Sequence, residues 1–484
     1  MPSIACVRLM ILRCNSVLHC ANPSWGCGVS ASPVPAPSTI EATTIRKVRL
    51  RIIPFVFVLF VIAVLDRNNI GFAALTMNKE LAISSQQYGF IAGIFFFGYF
   101  IFEIPSNLML HRIGARVWIA RILVTWGIVA MLGGFAQRSA HLYVVRFLLG
   151  VAEAGYFPGI MLYLTYWFRQ RQLAQAVALF CTANPVANII GAPFSGMILD
   201  HIHWFGLSSW RWLLILEGLP AIVGGICTYF LLPTRPAETN FLSSEEKDWI
   251  ATELLREERG KRAHCRVTAG EALLQGRVWH LTSIYFCAML GLYSMIFWMP
   301  QLLKLLSSEY SNATVGLLVM IPYVVGLPVM ILVGRSSDRS LERRYHAAIP
   351  LMIAAISLFV LGATATTSVL LSVILWCFAA SGIVSLWGPF WSLPNEFLTG
   401  FSAAAGIALI NCFGNLGGFV GPYAIGAISK KTGSFHGGLV FVAFSLFGSA
   451  MLILALRKSI VPEVGAVGMT QASPAVLPTP NIDL

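Results

Sequence analysis

Twelve long apolar runs, six on either side of one charged gap, constrain this chain more than any other feature. The first six are Ile52–Leu75, Tyr88–Leu110, Val117–Ala136, Leu142–Thr165, Leu173–Leu199 and Trp212–Leu232. After residues 233–278 come Trp279–Leu305, Val315–Val333, Ala347–Ala365, Val369–Trp391, Ser402–Ile428 and Gly438–Leu456. Each is close to the roughly 20 residues that a helix needs to cross a hydrocarbon core about 30 Å thick. Only 11% of the 484 residues are charged, against about 25% in a soluble domain. With lipid as solvent, every backbone polar group must be satisfied within the segment, so the runs are predicted to be helices. The fold class expected is an all-α membrane protein of twelve transmembrane helices in two six-helix bundles.

The bundles are expected at 46–232 and 279–458, joined by the segment 233–278. That segment carries eight basic and eight acidic residues and reads as a solvated, partly helical linker. Residues 1–45 are rich in Pro, Ser and Ala, and hold four of the ten cysteines. Arg8 and Arg13 interrupt their apolar stretch, which argues against a secretory signal. They are expected to be a disordered tail, or to follow from a start set too far upstream, and 459–484 a second disordered tail.

Lys and Arg set the orientation. With the N-terminus inside, the inner segments hold 22 of them and the outer ones six, so both termini are expected in the cytoplasm. The net charge of +12 then marks an inner rim facing anionic lipid, and no nucleic-acid partner is expected.

Nucleotide and hydrolase motifs are missing: there is no G-x-x-x-x-G-K-[ST], no H-E-x-x-H and no G-x-S-x-G, so neither an ATP-driven pump nor a hydrolase is supported, and no enzyme activity is expected. No metal or cofactor is expected. The chemistry must lie in the ionisable residues inside the runs, because a mid-bilayer charge costs about 2.5–3.5 kcal/mol on insertion scales. These are Asp66, Arg67, Glu103, Arg121, Arg146, Glu153 and Glu217, all in the first half. At about 1.5 Å per residue, Asp66 and Arg146 fall at similar depth and are expected to pair if their helices adjoin. Glu153 lies two turns below Arg146 on the same face. A carboxyl group whose Arg partner is exchanged by helix movement loads or releases a proton, so protons are the expected coupling ion. Glu103 and Arg121 lie nearer the inner surface and read as gate or scaffold. Glu217 lies near an outer helix end, where solvation is expected.

Tyr99, Asn184 and Asn411 fall near mid-membrane, where substrate sites lie between two halves. Asn415 shares a face with Asn411, and Trp387 stands near the end of the tenth run with Phe390 and Trp391. A short basic turn recurs in each half: His111-Arg112-Ile113-Gly114-Ala115-Arg116 in the first, Gly334-Arg335-Ser336-Ser337-Asp338-Arg339 in the second. Arg112, Arg116, Asp338 and Arg339 are therefore grouped with the gate or scaffold residues.

Four stretches carry a resemblance. They are Leu65-Asp66-Arg67-Asn68-Asn69-Ile70-Gly71-Phe72, Glu103-Ile104-Pro105-Ser106-Asn107, Arg146-Phe147-Leu148-Leu149-Gly150-Val151-Ala152-Glu153-Ala154-Gly155 and Asn411-Cys412-Phe413-Gly414-Asn415-Leu416-Gly417-Gly418. Together they resemble the anion:cation symporter family of the major facilitator superfamily, over about Arg46 to Lys458. The resemblance implies two pseudosymmetric bundles with alternating access and proton-coupled uptake of a small organic carboxylate. It implies that Arg67 binds the carboxylate, that Asp66 and Glu153 carry protons, and that Arg146 is the charge partner of Asp66. Tyr99, Asn184 and Asn411 would touch substrate. Val64 stands where some sugar-acid members carry an aromatic residue, which leaves aromatic, dicarboxylic and sugar acids open. An exchanger or efflux antiporter, and a non-transporting sensor, are the alternatives. A monomer in a bacterial inner membrane is expected.

Overall fold

The computed structural model describes residues 39–264, 275–306, 309–364, 368–394 and 400–456. The tails 1–38 and 457–484 lie outside the described residues, as do 265–274 of the linker. The described residues are helical and contain no strand.

The first half is built of α1 (Thr39–Glu80), α2 (Ser85–Ile113), α3 (Ala115–Gly133), α4 (Ser139–Glu153), α5 (Tyr156–Thr165), α6 (Gln170–Cys181), α7 (Ala183–His201) and α8 (Ser209–Leu231). The linker carries α9 (Ser244–His264). The second half holds α10 (Gly276–Leu306), α11 (Asn312–Ser340), α12 (Arg344–Ala363), α13 (Val369–Val384), α14 (Trp387–Ser392), α15 (Gly400–Asn415), α16 (Gly417–Thr432) and α17 (His436–Ala455). Helix α1 starts at Thr39, inside the segment expected to be a tail. There Thr44 is fully buried and Glu41 pairs with Arg169. Apolar contact and an ion pair order these residues where composition alone suggested disorder.

Among the described residues, sixteen helices, all but α9, make twelve passages because four spans are interrupted, and the interruptions recur between halves. The fourth breaks at Ala154–Gly155 and the fifth at Thr182; their counterparts, the tenth and eleventh, break at Ser385–Leu386 and Leu416. Eleven passages contain a helix, or a helix pair, long and apolar enough to span by length and hydropathy. The eleventh, made of two helices of 16 residues on either side of Leu416, is not among them. Broken helices at matching places in two halves are a hallmark of transporters built from repeats, since irregular backbone at membrane depth survives only where protein or a cavity covers it.

The halves meet most closely on the face opposite α9, called here the far face. There α2 approaches α16 so nearly that a Cβ added to Gly93 would lie 2.9 Å from the Phe419 carbonyl oxygen. Tyr88 donates to the Phe297 carbonyl at 2.8 Å, and Asn78 to Gln301 at 3.2 Å. Asp200 of α7 accepts the Asn312 and Ala313 backbone N–H groups of α11 at 3.1 and 2.7 Å, capping a helix of the other half. Ala192, Pro193 and Gly196 lie in this same α7–α11 contact. On the linker face, Arg169 binds Glu41 and Glu253 (3.0 Å) and stacks on Trp249, fastening α9 to the first half.

Candidate functional site

The backbone turns at Ala154 and Gly155, whose φ is +83°, a region open to glycine at little cost. A Cβ at Gly155 would collide with Ser106. The turn leaves Glu153 as the last residue of α4, in the interior of the span rather than at its edge.

Arg67 of α1 meets it there. Its Nη2 pairs with the Glu153 carboxylate and its Nη1 donates to the Tyr293 hydroxyl of α10 at 3.1 Å. One guanidinium thus joins a carboxylate of the first half to a hydroxyl of the second, at a helix C-terminus, where a cation is favoured. Arg67 retains 13% of its side-chain exposure and Glu153 only 1%. The Phe95 ring lies under both Arg67 and Arg146, each guanidinium carbon 5.3 Å from its centroid, and Tyr99 is 5.7 Å from Arg67. Nε of both arginines is buried without a hydrogen-bond partner. Unpaired donors on buried cations are costly, and here both belong to groups that suit an anion.

Asp66 and Arg146 do not pair in this conformation. Asp66 accepts from the Trp126 indole and from the Asn69 amide at 3.1 Å, while Arg146 reaches only the Arg67 carbonyl, at 3.5 Å. The two line a small cavity of about 10 Å³, the size of a single water. The depth argument placed them at one level but ignored azimuth. Successive residues are turned about 100° on a helix, so Asp66 faces α3 while Arg67 faces α4 and α10.

Glu217 is also corrected: it is 4% exposed, not solvated, and accepts from Ser195 at 2.6 Å. Glu103 accepts from Asn411 at 2.6 Å, and this bond joins the halves through α2 and α15. Asn415, on the same helix, is buried. Asn184 is half-buried and gives its carbonyl to Asn188 at 2.9 Å; Asn188 in turn accepts from Asn68 at 3.0 Å. Trp387 packs edge-on to Tyr285, which stacks on Phe390. The residues grouped as gate or scaffold, apart from Glu103, lie away from the Arg67 cluster. Arg121 stacks on Trp118 at 4.0 Å, Arg116 on Tyr229 at 5.7 Å, and Asp338 pairs with Arg343 at 2.6 Å within its own half. Arg112 and Arg339 are exposed. A separate cavity of about 480 Å³ lies against Arg51, Arg116 and Glu238 on the linker face, and none of the Arg67 cluster lines it.

Sequence reasoning missed Tyr293, Trp126, Asn68 and Asn188. A search for charges passes over them; polar groups inside otherwise apolar runs were the available signal. Among the described residues, no group of His, Cys, Asp and Glu is arranged to hold a metal ion.

A sequence profile of the Major Facilitator Superfamily matches residues 56–422. A protein named "Putative tartrate transporter" from Agrobacterium vitis is 44% identical over 90% of this chain and 99% of its own. A "Quinolone resistance transporter" from Acinetobacter baumannii is 37% identical over 86% of this chain and 96% of its own. Among solved structures, the partially occluded inward-open xylose transporter of E. coli superposes with a TM-score of 0.67 at 16% identity, covering 87% of this chain and all of that one; at that identity the likeness concerns the fold alone.

Proposed function

The chain belongs to the major facilitator superfamily, a membrane transporter and not an enzyme, and on that premise we propose that it takes up a small organic carboxylate with protons across a bacterial inner membrane. The observation that carries the reading is Arg67, held between Glu153 of one half and Tyr293 of the other, with its Nε unpaired. A planar guanidinium presents the fork that a carboxylate takes bidentately. To use it, the substrate must displace Glu153. A carboxylate left alone in an apolar site is neutralised by a proton, so anion binding and proton uptake become one event. Substrate, once bound to Arg67, weakens a link between the halves and biases the alternation between conformations.

The tartrate-named relative supports a hydroxy-dicarboxylic acid as cargo. The linker face is taken as cytoplasmic, as the basic loops indicate, and both halves of one chain supply Arg67's partners, so a monomer suffices. The quinolone-resistance relative favours a second reading, efflux on the same scaffold. Binding of tartrate, aromatic acids and sugar acids to the purified protein tests the site. Arg67→Lys, which replaces a fork by a point charge, should weaken the best-binding acid by about 1.5–3 kcal/mol, the value of a hydrogen bond to a charged group. Unchanged affinity would remove Arg67 from the site.

A further inference from the structure

We infer that Glu217 holds a proton in this conformation and surrenders it during the transport cycle. The inference goes beyond the Arg67–Glu153 exchange, but its second clause rests on the proton-coupled reading above.

The charge balance of the interior comes first. Four carboxyl groups, Asp66, Glu103, Glu153 and Glu217, are buried against two guanidinium groups, Arg67 and Arg146, and Glu103 takes the Asn411 amide of the other half. Burial of an uncompensated charge is prohibitive, so an acid in excess of its cations carries a proton. Arg67 is committed to Glu153. Arg146 shares a water-sized cavity with Asp66. Glu217 is left with a neutral donor, the Ser195 hydroxyl, on Oε1.

Unmatched acceptors point the same way. Oε2 of Glu217 is buried without a partner, and so is Oδ1 of Asn69. The Asn69 amide donates its own N–H to Asp66 at 3.1 Å. A proton on Glu217 turns an unmatched acceptor into a donor and removes an uncompensated buried charge.

No other charge on the packed neighbours answers Glu217. On α1, Glu80 binds Arg211 at the far end of α8. On α3, Arg121 stacks on Trp118, and on α7, Asp200 caps α11.

Infrared spectroscopy of the purified full-length protein tests this without reference to transport. The wild type should show a protonated-carboxyl C=O band at neutral pH that disappears in Glu217→Gln. Glutamine keeps the Ser195 contact and carries a neutral N–H donor in place of the protonated O–H, so the variant should fold with undiminished thermal stability. Ser195→Ala should shift the same band by removing the donor to Oε1. In vesicles, Glu217→Gln should abolish proton-driven accumulation while sparing substrate exchange. A band unchanged in Glu217→Gln overturns the proton assignment, and undiminished accumulation overturns its part in the cycle. Wild-type protein that moves substrate without protons refutes the symport reading instead, and leaves the infrared band to decide the protonation of Glu217.

Discussion

Replacing Glu153 by Gln should tighten anion binding and separate it from the proton. In the wild type, the substrate carboxylate trades places with a carboxylate that is 1% exposed and already bound to Arg67. A hydrogen bond to a charged partner contributes about 1.5–3 kcal/mol, a neutral one about 0.5–1.5. Glutamine still accepts from Arg67, so the competitor is weakened by about 1–2 kcal/mol, and the anion should bind roughly 5–30-fold tighter. The pH dependence has a definite sign. If each anion brings one proton to Glu153, apparent affinity falls about tenfold per unit rise in pH wherever unliganded Glu153 is ionised. Glutamine cannot take the proton, so the variant's affinity should be flat over that range, and the two proteins converge at low pH. Calorimetry in buffers of different ionisation enthalpy reads both quantities, the affinity and the protons taken up. A variant that keeps the wild-type slope and proton count refutes the exchange at Arg67.

Two further outcomes follow from the scaffold. Asp200→Ala removes the acceptor of the Asn312 and Ala313 amides; at about 1–2 kcal/mol for a lost cap, amide exchange in the first turn of α11 should quicken roughly 5–30-fold. Unchanged exchange would mean that Asp200 does not seal the far face. Gly155→Ala forces a Cβ into a left-handed backbone and against Ser106, and should cost at least about 1–2 kcal/mol in thermal stability. A neutral result would mean that the break after Glu153 is not enforced by this glycine.

The spans were legible because apolar length is a one-dimensional property, and lipid leaves the backbone one local solution. Their interruptions were not. Composition stays apolar through Ala154–Gly155 and Ser385–Leu386, and Gly155 alone does not announce that its φ is positive. The membership of the charge cluster was legible for the same reason as the spans: a charge inside an apolar run needs a reason. Its pairing was not, because depth along a helix fixes one coordinate and azimuth the other. Asp66 and Arg67 are adjacent in sequence yet serve different neighbours, Trp126 in one case and Glu153 with Tyr293 in the other. Glu217 was misjudged on depth alone; Ser195, on another helix, makes its surroundings polar without making them wet.

The central claim is that carboxylate and proton travel together through Arg67 and Glu153. Uptake of the best-binding acid into vesicles, with an imposed proton gradient and known orientation, tests it most directly. The account predicts accumulation against the acid's own gradient, lost when a protonophore collapses the pH difference and lost in Arg67→Lys. Accumulation that ignores the proton gradient, or net movement opposite to the proton flow, would contradict it.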